Sequence, residues 1–320
     1  MAAPVRILGV GSARVSDATP AEAEGRASRL RAILTALSAD GAPIRLIHSI
    51  EELAVLAAHE ALIRAGVATP YRGADLGLVL GVEEGIDGIK ARYYRGVMAD
   101  GPLGASPLTF PLTTPNTVAA RISILFDLRG ETLTLGGGNV AGAQALGLAV
   151  RALRDGHAAM ALAGGATCVE PEYLEAASLV NSSKAGAPAG GACLLLLGRS
   201  GAAGAAGGGQ VLGYGEGFGP NAVRDAVQAC LEDAAIGPAT VGAVRAAAVC
   251  DWSSLVRALR AVGVSADMVR SPSSGLCAVS FPLAVAEAVE QSVDGTRAPV
   301  LVVGSDCLAG TVAAVVHGGP

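Results

Sequence analysis

Lysine is nearly missing from this chain of 320 residues, which holds only Lys90 and Lys184. Histidine is scarce too, at His48, His59, His157 and His317, and aromatic side chains make up 3%. Charged residues are 16% of the total and the net charge is −5. No basic cluster stands out, which argues against a nucleic-acid partner. The six cysteines (Cys168, Cys193, Cys230, Cys250, Cys277 and Cys307) form no CxxC pair. With so few histidines, that argues against a zinc site and against a disulfide framework. Each cysteine is expected to be a small buried hydrophobe. No apolar run reaches the roughly 18 residues of a membrane span. The apolar stretch near the N-terminus is too short for a signal peptide. These absences point to a cytoplasmic protein with no metal and no cofactor.

What the chain has in quantity is small and aliphatic residues. Hydrophobic side chains are 51% of it, mostly Ala, Val and Leu, with 44 glycines. The mean hydropathy is +0.49. Such a composition suits helices packed tightly on a buried sheet, or a large face covered by a partner subunit.

The stretch from Glu131 to Gly165 organises the rest. It reads as a strand (Thr132 to Leu135), a Gly136-Gly137-Gly138 turn, a helix (Val140 to Leu153) and a buried strand (Ala158 to Gly165). Gly156 stops the helix. Asn139 falls at the corner where strand becomes helix, near the positive end of the helix. Many α/β enzymes place a nucleophile there, but an amide neither ionises nor forms a thioester. The frame for catalysis is present without an evident catalyst.

Either side of this stretch, strands are expected at Val5 to Val10, Asp75 to Val82 and Ala192 to Leu197, with helices over 20 to 40, 50 to 65, 86 to 101 and 117 to 126. Residues 102 to 116 read as irregular, and Gly201 to Gly209 as a connector. The pattern then restarts. A strand is expected to open at Val211 to Gly213, strands are expected at Val244 to Asp251, Pro299 to Gly304 and Thr311 to Val316, and a strand with a loop at Val269 to Ala278. Helices are expected at Ala222 to Ala234, Ser253 to Val262 and Ser280 to Val293. The runs TLTLGGGNV-AGAQALGLAVRAL-RDG and VRSPSSGLCAV-SFPLAVAEAVEQS-VDG follow the same order. This internal likeness suggests a duplicated α/β unit, with halves at 1–200 and 201–320.

The segment Asn116-Thr117-Val118-Ala119-Ala120-Arg121-Ile122-Ser123, with Leu133-Thr134-Leu135, Ala141-Gly142-Ala143-Gln144-Ala145, Asp155-Gly156 and Ala163-Gly164-Gly165, resembles the β-ketoacyl synthases of the thiolase fold. Leu212-Gly213-Tyr214-Gly215 resembles the opening of that family's second half. The resemblance implies a five-layered αβαβα architecture. It also implies where catalysis would sit, and those positions are degenerate. The family's cysteine falls on Asn139. Its first histidine falls in the segment of Asp251, and its lysine and second histidine fall near Ser273 and Ala278. The glycine-rich C-terminal loop is replaced by Gly304-Ser305-Asp306-Cys307-Leu308-Ala309-Gly310. Ketosynthase chemistry needs a thiolate for acyl transfer and donors for the oxyanion.

The family includes a subunit of this kind, the chain length factor of type II polyketide synthases. It pairs with an active ketosynthase, limits the growing chain at the shared tunnel, and meets acyl carrier protein through the complex. The resemblance then places Thr109, Phe110, Leu112, Thr113, Asn116, Leu133 and Leu135 at the tunnel and interface. Aromatic-polyketide versions usually carry Gln at the cysteine position. Asn139 departs from that and fits the highly reducing, polyene-forming systems, or the related aryl-polyene systems, better. Other readings remain: a purely structural partner, or a divergent acyltransferase using Cys277 on the second half's loop. A nucleotide-binding turn at Gly9-Val10-Gly11 lacks the rest of its motif.

Overall fold

Strands of almost unbroken apolar sequence build the frame. In a computed structural model of the chain, the described residues are 3–15, 20–38, 44, 46, 48–69, 71, 76–83, 85–172, 174–175, 190–199, 208–247, 251–265, 267–270, 277–293, 298–306 and 310–318. The first half contains β1 (Val5–Val15), α1 (Pro20–Leu37), α2 (Ser49–Arg64), β2 (Leu76–Val82), α3 (Asp87–Asp100), α4 (Asn116–Phe126), β3 (Thr132–Leu135), α5 (Ala141–Asp155), β4 (Met160–Cys168) and β5 (Gly190–Gly198). The second contains β6 (Gln210–Gly217), α6 (Ala222–Ala234), β7 (Ala243–Ala247), α7 (Trp252–Val262), β8 (Asp267–Arg270), α8 (Ser280–Val293), β9 (Val300–Asp306) and β10 (Gly310–His317).

The strands hydrogen-bond in the order β3-β2-β4-β5-β1-β6-β10-β9-β7-β8. Read outward from the middle, the two sides are the same. In each, the first strand pairs antiparallel with the fifth and the fifth antiparallel with the fourth. The second then lies parallel between the fourth and the third. The two sides join where Val5 faces Val211 and Arg6 faces Gln210. The duplication read from the sequence is therefore repeated strand by strand. The expected boundary between residues 200 and 201 lies outside the described residues.

Side-chain alternation along each strand separates three cores. On β5, Cys193, Leu195 and Leu197 enter the central core, while Ala192, Leu194 and Leu196 enter an outer one. On β10, Val312, Ala314 and Val316 face the centre, and Ala313 and Val315 face outward. The central core holds α5 and α8 between the two sides of the sheet. The outer cores hold α1, α2 and α4 on one side and α6 and α7 on the other. Strands covered on both faces carry apolar residues at successive positions, which explains the run of leucines in β5. The layers are αβαβα, as expected.

Backbone contacts at glycine set how close the layers sit. A Cβ added to Gly9 or Gly11 of β1 would lie 2.2 and 2.0 Å from the carbonyl oxygens of Ala61 and Ala57 on α2. Gly213, Gly215 and Gly217 of β6 meet the carbonyls of Cys230, Ala226 and Ala222 on α6 at 2.4, 2.3 and 2.0 Å in the same way. Equivalent strands thus seat equivalent helices. This corrects two readings from the sequence. Gly9 and Gly11 read as a strand end and as part of a nucleotide-binding turn, yet they lie inside β1, which runs on to Val15. β6, expected to open at Val211 to Gly213, runs on to Gly217. In both strands glycine marks close packing rather than a turn.

Other element ends moved by a few residues, and helices α6 and α8 match the expected spans. Asp251, expected to end a strand, instead caps α7. Residues 201–207 of the expected connector lie outside the described residues. Replacing Gly11 with Ala would force a methyl group against the Ala57 carbonyl, and a stability loss of about 2–3 kcal/mol is expected. Denaturant midpoints will check this against Gly25→Ala, where the added methyl meets nothing within 4 Å and no loss is expected.

Candidate functional site

Three segments, two of them from the second half of the chain, converge on the start of α5. After β3, the chain turns through Gly136 to Gly138 and a 3₁₀ turn at Gly138–Val140 before entering α5. Gly138 has φ +62°, a left-handed conformation that glycine adopts without strain. Gly142 on α5 and Gly165 on β4 both face the carbonyl of Ala278, and a Cβ there would lie 2.0 and 2.2 Å from that oxygen. The turn Cys277–Val279 is therefore pressed onto the elbow. From the end of β9, the Asp306 carboxylate reaches the same place. The backbone N–H of Asn139 donates to Asp306 Oδ2 at 3.2 Å.

The structure thus brings together two of the positions read as degenerate, Asn139 and Ala278. Asn139 is half-buried and Ala278 is fully buried. The groups meeting here, Asn139, Ala278 and Asp306, include no thiol and no imidazole. Asp251 does other work. It caps α7, and its Oδ1 accepts the N–H groups of Ser253 at 2.9 Å and Ser254 at 3.2 Å. Hydroxyls from Ser254 and Ser253, together with those amides, hold its carboxyl well below the usual range. Ser273 and Cys250 lie outside the described residues. Cys277 opens its turn, and its side chain is likewise outside them.

The four histidines sit elsewhere. His48 is buried ahead of α2, and His59 is midway along it, where burial and then Arg29 lower its pKa. His157 follows α5, and His317 ends β10. Among the described residues, no group of three or more His, Cys, Asp or Glu could hold a metal ion, and no helix is long and apolar enough to cross a membrane.

Of the residues assigned to the tunnel, Phe110, Asn116 and Leu133 are exposed, and the others are partly buried. Among the described residues, seven of the nine exposed large hydrophobics fall between positions 94 and 133. They are Tyr94, Met98, Leu103, Leu108, Phe110, Ile124 and Leu133. Phe110 is 55% exposed and packs its ring 5.8 Å from Tyr93 on α3. Thr113 donates to the Phe110 carbonyl at 2.7 Å, and Thr109 bonds Ser106, so this turn is internally braced. Leu112 is partly buried against the outer core. Asn116 is exposed at the start of α4. On α4, Val118, Ala119, Ile122, Leu125 and Phe126 make the buried stripe, which leaves Ile124 facing out, 73% exposed. Beside it, Ser123 and Thr132 share a hydrogen bond of 2.9 Å. Thr132 belongs to β3, the edge of the sheet. On β3, Leu133 is exposed and Leu135 packs on the central core.

Two features escaped the sequence reading. Ile124 was detectable, because it falls off the helical stripe of α4. The Asn139–Asp306 contact was not, since 167 residues separate the partners.

The described thiols are not poised for nucleophilic work. Burial, followed by Glu170 and Glu52, pushes Cys168 up to about 11. Burial likewise pushes Cys193 and Cys230 well above the ordinary range. At pH 8, iodoacetamide should label Cys168 about a hundredfold more slowly than free cysteine. Peptide mass mapping of a labelling time course checks this, and rapid labelling would contradict it.

Residues 40–197 match the family description "Beta-ketoacyl synthase, N-terminal domain". Nodulation protein E of Rhizobium leguminosarum bv. trifolii is 36% identical over 115 residues. That match spans 35% of this chain and 28% of the relative, so little more than a quarter of the relative's length is covered. Among solved structures, the ishigamide ketosynthase/chain length factor superposes with a TM-score of 0.74 at 19% identity, over 99% of this chain and 100% of that one. A type II polyketide synthase acyl-carrier protein in complex with its ketosynthase bound to the hexaketide (AntDE:AntF) gives 0.72 at 17% identity, over 100% of both. The fold is therefore that of these solved structures along the chain, and residues 40–197 are similar to a β-ketoacyl synthase N-terminal domain.

Proposed function

We propose that this chain is a non-catalytic ketosynthase-like subunit that pairs with an active ketosynthase and shapes the acyl tunnel between them, as a chain length factor does. The elbow carries this reading. In this reading Asn139 stands where acyl transfer needs a thiolate, and Ala278 where an oxyanion needs a donor. An amide and a methyl group supply neither. The chemistry then falls to the partner, which delivers the carrier protein's acyl group through the complex.

The flank between α3 and β3 supports the pairing. An edge strand leaves backbone groups open to another chain. Exposed Ile124 and Leu133 give that edge an apolar rim suited to a lasting interface. Phe110, Leu112, Thr109 and Thr113 lie on the same flank and line the tunnel in this reading. Asn139, where aromatic systems usually carry Gln, favours a reducing, polyene-forming system.

Co-expression with an active ketosynthase from the same gene neighbourhood tests this. A one-to-one complex is expected that elongates malonyl units, where neither subunit alone does. Turnover by this chain alone would overturn the reading. Ile124→Asp together with Leu133→Asp should weaken pairing about tenfold or more, as measured by size exclusion. In the intact pair, Phe110→Ala should lengthen the product. An unchanged product would leave the chain as a structural partner only.

A further inference from the structure

The start of α5 is built to hold negative charge, and in this chain it already holds one. Its helix dipole and the backbone N–H of residue 139 face the corner where a carbonyl would be polarised. That N–H is committed to Asp306 Oδ2 at 3.2 Å. Gly138 makes the room. A Cβ there would lie 3.1 Å from Oδ2 and 3.4 Å from Cγ of Asp306. Its φ of +62° presents the turn in a conformation that other residues resist. The carboxylate thus rests over a glycine, hydrogen-bonded to the next amide, at the positive end of a helix of 15 residues.

We infer that Asp306 is a specificity-determining residue: its carboxylate fills the anion-accepting corner of the elbow and keeps acyl groups and carboxylate-bearing extender units out of it. The inference rests on reading this elbow as a degenerate acyl-transfer corner. A charge-assisted bond to the amide outlasts a neutral one. An acyl carbonyl entering the corner would have to displace that carboxylate. It would then develop its own negative charge beside it. Both effects oppose binding, and an incoming carboxylate meets the same repulsion. Loss of the nucleophile and closure of the corner are then separate steps. Restoring a thiol at position 139 leaves the second in place, because a thiolate there would sit beside Asp306.

The test uses the full chain. Asn139→Cys is made alone and with Asp306→Asn, which keeps the shape and an accepting oxygen while removing the charge. The alkylation rate of the introduced thiol by neutral iodoacetamide is followed against pH and assigned by peptide mass. With Asp306 intact, the profile should lie above that of an ordinary thiol. With Asp306→Asn it should move to lower pH, with alkylation about tenfold faster at neutral pH. Superimposable profiles would overturn the inference, and a purely structural role for Asp306 would not move them in this direction. Should the double variant fail to fold, hydrogen exchange at the Asn139 amide gives a second reading. Asp306→Ala in the otherwise native chain should speed that exchange, and unchanged protection would equally overturn the inference. Neither measurement needs a ketosynthase partner, so failed pairing in the elongation assay would count against the proposed function and leave this result standing.

Discussion

The carbonyl of Ala278 touches two glycines at once, Gly142 on α5 and Gly165 on β4. That contact locks the second half's turn against the first half's elbow, with no side chain between them. The same device recurs outward, where β1 meets α2 and β6 meets α6 through glycine and alanine backbone. Layers that approach this closely leave no room for large side chains, which is why so apolar a chain has so few aromatics. Hydrophobic burial comes from many small groups at high packing density. This interlock and the Asn139 N–H bond to Asp306 both meet at the elbow.

The fold and the chemistry proposed to be absent belong to different physical levels. Strand order, helix seating and the elbow turn depend on residues that pack, such as Gly138, Gly142 and Gly165, and these are in place. Acyl transfer depends on a few groups that ionise or donate, and the elbow residues read as degenerate, Asn139 and Ala278, carry an amide and a methyl. A chain can lose the second set while the first holds its shape. The flank from α3 to β3 shows the complementary economy, since large apolar side chains stay exposed there and few are exposed elsewhere among the described residues.

Much of the architecture was legible in the sequence. α6 and α8 were read to their ends because clear amphipathic runs are bounded by turn residues. The elbow at Asn139 was legible because three glycines sit between an apolar strand and a small-residue helix. The reading failed at β1, where glycine was taken for a break although it was answering a helix on the other side of the contact. Asp251 was misplaced because a polar residue after an apolar strand can end that strand or begin the next helix. Its hydrogen bonds to Ser253 and Ser254 decide for the helix. Asp306 could not have been linked to Asn139 from the sequence, because no local pattern records a contact across the two halves.

The edge formed by β3 bears on how such a chain can be made. Four strand residues with open backbone groups, flanked by Ile124 and Leu133, form a template for any extended polypeptide nearby. A newly made chain carries that template until something covers it. Synthesis in excess of whatever covers it would feed self-association in proportion to concentration. Were a partner to cover that edge, its supply relative to this chain would bear on yield alongside the chain's own stability.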